Sequence, residues 1–179
     1  TIEDWEGTQH IVPDGELRFM GARRTENLLT YSNDLTNAAW QIAPAYTPVS
    51  DGDGGFVVDM TATVGYFISP YISTVAGNKY LFSFKAKAGT ATKARYAAYD
   101  ATNAAIITDA SYFSQLNTSS HTTVSLLVTV PAGCTSIAFY PLRDADSLGT
   151  IYIKEAQVEN VTNQSIQTAA DYIPTTTTA

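Results

Sequence analysis

The most constraining stretch of the chain is KYLFSFKAKAGT, at residues 79–90. Tyr80, Phe82, Phe84 and Ala86 fall on one side of an extended backbone, and Lys79, Ser83, Lys85 and Lys87 fall on the other. Such period-two alternation is the pattern of a strand with one packed face and one wet face. Ala88-Gly89-Thr90 closes the run, with glycine supplying the left-handed backbone that a reversal often needs. The stretch is expected to be the central strand of an antiparallel sheet, with the other segments built to cover it.

Composition agrees. The 179 residues suit one domain, which at this size buries roughly 70% of the surface of its unfolded chain. Hydrophobic residues make up 45% of the chain and charged ones 15%, too few for helices with Glu- and Lys-rich surfaces. Thr, Ser, Ala, Val, Ile and Tyr dominate instead, and they favour pleated surfaces and turns. A net charge of −7 disfavours nucleic acid and anionic membranes, which reward clustered Lys and Arg. Cys134 is the single cysteine, so neither an intrachain disulfide nor a cysteine-based metal site can form. No apolar run reaches the length needed to span a bilayer as a helix. The opening TIEDWEGTQH has neither the basic nor the apolar region of a signal peptide, and a first residue Thr rather than Met fits a fragment or a processed product.

Residues 1–24 differ from the rest, with short apolar runs, a Pro13-Asp14-Gly15 turn signal and the basic pair Arg23-Arg24. They are expected to form an extended arm packing on a neighbouring subunit, with one short strand over Glu16, Leu17, Arg18 and Phe19. Residues 25–175 read as the domain body and 176–179 as a tail. Within the body, strands are expected at 27–31, 56–61, 65–71, 79–87, 95–99, 105–108, 112–113, 124–130, 136–142 and 150–159. A single helical turn is expected over 35–40, after the capping oxygens of Ser32, Asn33 and Asp34. Pro70 marks an edge or a strand end. About eight to ten strands separated by short turns indicate a sandwich or barrel rather than parallel βαβ units.

Catalytic signals are weak. His10 and His121 are the only histidines, and His121 sits in the polar loop NTSSHTT, where exposure is expected. No G-x-S-x-G elbow occurs, and Cys134, just after a turn in PAGCTSI, reads as a small buried hydrophobe. Two loops imitate calcium ligands. In Asp51-Gly52-Asp53-Gly54-Gly55 the twelfth position is Ala62, where an acid should stand. In the loop opening at Asp144 and Asp146, Glu155 does fall at the twelfth position, but Leu148 offers no oxygen at the fifth and the flanks read as strands. Both are expected to be polar turns, and no metal, cofactor or enzymatic activity is expected.

The aromatic residues carry more. Eleven Tyr and two Trp exceed the needs of a core this size, and Tyr suits half-wet surfaces. Tyr96 and Tyr99 straddle a strand that starts at Arg95 and ends at Asp100. Tyr140 and Arg143 end another, and Trp40 follows the first strand at a potential rim. Rings beside Arg and Asp suit a sugar, whose C–H groups stack on the rings while its hydroxyls take the polar groups. Trp40, Tyr96, Tyr99, Asp100, Tyr140 and Arg143 are therefore the candidate ligand residues, against the alternative that these rings pack between sheets.

RTENLLTYSNDL at 24–35, with Asn37-Ala38-Ala39-Trp40, resembles the opening of jelly-roll modules in structural proteins of tailed bacteriophages. YLFSFKAKAG at 80–89, VTVPAGCTS at 128–136, PLR at 141–143, IYIKEAQVE at 151–159 and ADYIPT at 170–175 follow in the matching order, and GELRFMGARR at 15–24 is similar to the segment preceding such modules. The resemblance implies an all-β, antiparallel jelly-roll β-sandwich of carbohydrate-binding-module-like, galactose-binding-like type, with an extended N-terminal arm. It also implies a non-enzymatic virion protein: a capsid decoration, a head fibre or a tail-fibre component. Its partners would be other virion proteins and two sister subunits in a homotrimer. The alternative is an attachment module for host surface polysaccharide, and a glycan-degrading enzyme ranks last. Related modules often hold a structural calcium through an acid on the final strand, a place that only Glu159 could fill here.

Overall fold

The computed structural model describes residues 2–3, 9–10, 25–143 and 148–176. Near the N-terminus β1 (Ile2–Glu3) pairs with β2 (Gln9–His10). The body begins with β3 (Gln41–Ile42), β4 (Tyr46–Ser50), β5 (Phe56–Met60), β6 (Tyr66–Ile68) and β7 (Ile72–Ser73). The long strands β8 (Lys79–Ala88), β9 (Arg95–Asp100), β10 (Ala105–Ser111) and β11 (Thr122–Thr129) follow. β12 (Ser136–Tyr140), β13 (Leu142–Arg143) and β14 (Gly149–Asn160) complete the set. Among the described residues the one helical element is a 3₁₀ turn, Phe113–Gln115. The chain is all-β, an antiparallel jelly-roll sandwich.

One layer runs β11-β8-β14-β5-β4. The other runs β10-β9-β12-β7, and past Pro141 β12 gives way to β13, which pairs with β6 and through it with β3. Pro70 interrupts the neighbouring β6–β7 run, since it has no N–H for the ladder. Ser69 bridges the break: its N–H donates to Phe139 O at 2.8 Å and its Oγ accepts from Phe139 N–H at 3.0 Å.

β8 lies between β11 and β14, and Tyr80, Phe82, Phe84 and Ala86 point inward, all buried. Phe82 stacks on Phe84 at 5.1 Å and, across the interlayer space, on Phe139 at 4.9 Å. Phe84 meets Tyr112 edge-on at 5.3 Å, and Tyr112 stacks on Tyr96 at 5.6 Å. Each such side chain contributes about 1.5–3 kcal/mol through burial alone, and the ring geometry adds to that.

Several expectations change. The wet face of β8 is partly roofed: Leu81 and Ser83 are buried, because the segment 164–176 crosses this side of the sheet. Residues 27–29 run outside any regular strand and residues 30–33 form a turn, with Tyr31 at φ 52°, in place of the expected strand. The Asn27 side chain takes the ladder's place there, with Oδ1 accepting from Leu29 N–H and Val158 N–H, both at 3.1 Å, and Nδ2 donating to Ala156 O at 3.2 Å. Residues 35–40 form successive tight turns, Asn37 N–H to Asp34 O and Trp40 N–H to Asn37 O, and no helix. Residues 112–113 enter the 3₁₀ turn instead of a strand. Gly89 is required for space rather than for a left-handed backbone: a Cβ there would lie 2.2 Å from Thr150 Oγ1 and 2.5 Å from Thr150 O. The expected strand at 16–19, most of the expected arm and the loop acids at 144 and 146 lie outside the described residues.

Candidate functional site

Strand parity decides which rings meet solvent. On β9, Tyr96 and Ala98 face the core, so Arg95, Ala97 and Tyr99 face outward. On β12, Ile137 and Phe139 face the core, so Ser136, Ala138 and Tyr140 face outward. Cross-strand register then sets Tyr99 opposite Ala138 and Tyr140 opposite Ala97. Each ring therefore stands beside an alanine, and the two rings approach to 6.0 Å at 85°. Burial pushes the Tyr140 phenol up, with Tyr99 adding to the shift, so its hydroxyl stays a neutral donor and acceptor.

The small side chain of Ala97 also leaves room for an ion-pair bridge. Asp109, its partner on β10, takes Arg95 Nη2 on Oδ1 at 2.7 Å and Arg143 Nη1 on Oδ2 at 2.6 Å. All three side chains remain about a quarter to a third exposed, which keeps them open to a ligand. Arg143 pairs in register with Tyr66, which joins the same side at 45% exposure. Tyr71, 53% exposed, lies close enough to act on Tyr140 electrostatically. Tyr66, Tyr71, Tyr99 and Tyr140 thus surround an alanine floor beside an Arg–Asp–Arg bridge. Rings offer apolar faces there, and the bridge offers fixed donors and an acceptor.

Of the six candidate residues, the structure brings Tyr99, Tyr140 and Arg143 together on this face. It places the other three elsewhere. Trp40 is 3% exposed in the core, with Nε1–H donating to Tyr31 O at 3.0 Å and its ring edge-on to Phe67 at 5.2 Å. Tyr96 is on the inner side of β9, stacked on Tyr112. Asp100 is 3% exposed and caps the β9–β10 turn, accepting from Thr102 N–H, Asn103 N–H and Asn103 Nδ2–H at 2.8–2.9 Å. Those hydrogen bonds, the Asn103 side chain's foremost, hold its carboxyl below the ordinary range. Asp109, Tyr66 and Tyr71 escaped the sequence reading. Alternation did signal Tyr66, since Phe67 beside it is apolar, whereas Asp109 lies beyond a register shift between Ile106 and Thr108 that phasing from Ala105 would miss.

The remaining chemistry is structural. Cys134 is buried, its thiol donates to Ser136 O at 3.3 Å, and burial pushes its pKa up, the reverse of nucleophile activation. His121, expected to be exposed, is half-buried, and its Nε2 has no partner among the described residues. Asp51 Oδ1 accepts from Asp53 N–H and Gly55 N–H, closing a polar turn. Among the described residues no three His, Cys, Asp or Glu side chains converge. Glu159, the acid a calcium would need, is 1% exposed and instead accepts from Gln157 Nε2–H and Ala170 N–H, both at 3.1 Å. The residues present do not fit that ion.

No protein-family model and no curated protein matches the chain. Solved structures do. The family 22 xylan-binding domain of Xyn10C from Paenibacillus barcinonensis superposes with a TM-score of 0.54 at 10% identity, covering 79% of this chain and 99% of that one. The second N-terminal cellulose-binding domain of β-1,4-glucanase C from Cellulomonas fimi gives 0.53 at 15% identity, covering 77% and 96%. The chain has the fold of the carbohydrate-binding-module jelly rolls. The enzymatically active domain of tailspike protein 4 from bacteriophage CBA120 gives 0.52 at 16% identity over 74% of this chain, which spans about a fifth (21%) of that structure.

Proposed function

We propose that this jelly roll is a non-catalytic carbohydrate-binding domain of a tailed-phage virion protein, and that it recognises host surface polysaccharide. The observation that carries the reading is the outer face of the β9–β12 layer, with Tyr99 and Tyr140 at 6.0 Å beside the Arg95–Asp109–Arg143 bridge. Sugar C–H groups would stack on the two rings while hydroxyls bond to the bridge. The fold shared with xylan- and cellulose-binding domains supports carbohydrate as the ligand class. The phage setting is supported by the ordered motifs at 24–40 and 170–175 and by the tailspike likeness. Other virion proteins would be its partners, as a capsid decoration, head fibre or tail-fibre component and as a homotrimer. The net charge of −7 argues against nucleic acid and anionic membranes as ligands.

A glycan array probed with the wild type and with Tyr99→Ala and Tyr140→Ala tests this reading. Binding of host polysaccharide that falls in both variants by tenfold or more, about 1.4 kcal/mol, is expected. Silence across the array would instead favour an assembly role, and release of reducing sugar would favour an enzyme.

A further inference from the structure

The opposite layer holds a cleft that the glycan face does not use. Beyond β14 the segment 164–176 crosses the outer side of the sheet. It is held there by Gln157, whose Oε1 accepts from Ile173 N–H at 2.8 Å, and by Glu159, which accepts from Ala170 N–H. Between strap and sheet remains a cleft of about 210 Å3, its walls including Ser83, Lys85, Thr123, Glu155, Asp171 and Tyr172. That is below the roughly 300–1,000 Å3 typical of sites for drug-sized ligands, and suits one ring.

The walls are polar and paired. Lys85 Nζ lies 2.6 Å from Glu155 Oε2, setting ammonium donors beside a carboxylate acceptor. Glu155 stands at the register shift between Lys154 and Gln157 with φ 56°, a conformation L residues rarely adopt and one found where bulges re-aim a side chain. Ser83 is 5% exposed and lines the cleft. Tyr172 supplies a ring, fixed by its hydroxyl's contact with Ser32 Oγ at 3.0 Å. One cation faces two carboxylates, Glu155 and Asp171, so phosphates and acids are disfavoured.

We propose that this cleft is a second carbohydrate site that takes one neutral pyranose, free or at the end of a glycan chain. Lys85 donates to one hydroxyl and Glu155 accepts from its neighbour, Ser83 bonds a third, and the ring's C–H face rests on Tyr172. The proposal shares no residue with the outer face of the β9–β12 layer and stands without it.

Amide-resolved NMR titration of the full chain reads both faces in one spectrum. The probes are methyl glycosides of glucose, galactose and mannose, and oligosaccharides ending in the same units. Saturable shifts at Ser83, Lys85, Ala170 and Asp171 are expected, weakened tenfold or more by Ser83→Val, which fills the cleft. Glu155→Gly, which removes the carboxylate at a backbone angle glycine adopts freely, should weaken them likewise and serves if the valine variant does not fold. A response to both probe types marks a free-sugar site, and a response to oligosaccharides alone marks chain-end recognition; either upholds the site. No saturable shift at these amides with any probe, or shifts unchanged in the folded variants, overturns it. Movement or silence at Tyr99 and Tyr140 reports on the other face alone.

Discussion

At the residue scale, much of the structure hangs on polar side chains that replace backbone. Asn27 is 2% exposed, and besides its ladder bonds its Nδ2 donates to Ile173 O at 2.8 Å, so one amide joins the N-terminal segment, the last strand and the strap. Asn27→Ala leaves two buried N–H groups and two carbonyls short of a partner. At about 0.5–1.5 kcal/mol per bond, a loss of at least about 2 kcal/mol is expected in denaturant unfolding. Titration offers a second test. Burial foremost, then Lys154 and Lys87, hold His121 below its ordinary pKa, and its hydrogen bonds do the same for Asp100. In both cases the unfolded chain takes up the proton first as pH falls, so stability is full above the ordinary pKa and declines below it. The melting temperature should be flat from about pH 8 to 7, start to fall below about pH 6.5 and fall further in the carboxylate range. His121→Gln should flatten the first step only, and an equal decline in that variant would contradict the assignment. None of this was legible in the sequence: a side chain that substitutes for a ladder, or a histidine shielded by its neighbours, depends on contacts remote along the chain.

At the scale of elements, alternation made the sandwich readable. It placed the inward row of β8 correctly, and it put Tyr99 and Tyr140 on two strands that the antiparallel register then sets side by side. Where it was misapplied, parity itself supplies the correction: Tyr96 and Tyr99 are three apart, so a period of two must send them to opposite faces. Trp40 lay beyond any strand, and nothing local told that its indole would turn inward onto Phe67. Turns were located well and explained less well, as Gly89 shows. Gly89→Ala should destabilise by about 1–3 kcal/mol through overpacking against Thr150. A Thr150→Ala background removes the 2.2 Å contact at Oγ1 but not the 2.5 Å contact at O, so only partial rescue is expected, and full rescue would contradict the backbone clash.

At the scale of the molecule, the two outer faces differ in use. The β8–β14 side is spanned by the strap, whose far end bonds back to the N-terminal segment through Thr175 N–H to Ser32 Oγ at 2.9 Å and Tyr31 N–H to Thr176 O at 2.7 Å. The motif ADYIPT announced this segment as part of the domain without announcing what it covers. Ending the chain at residue 163 would leave buried Gln157 and Glu159 without their strap partners. Cooperative unfolding should then shift down by several degrees, and an unchanged transition would make the strap dispensable. The β9–β12 side keeps its rings and ion-pair bridge open, and the central claim is that parity assigns core duty to Tyr96 and ligand duty to Tyr99 and Tyr140. Calorimetric titration of the host polysaccharide, paired with thermal melts, tests it most directly. Tyr99→Ala and Tyr140→Ala should each lose tenfold or more in affinity with little change in melting temperature, while Tyr96→Ala should melt lower by about 5 °C or more. Undiminished affinity in Tyr99→Ala and Tyr140→Ala, with both proteins folded, would contradict the account.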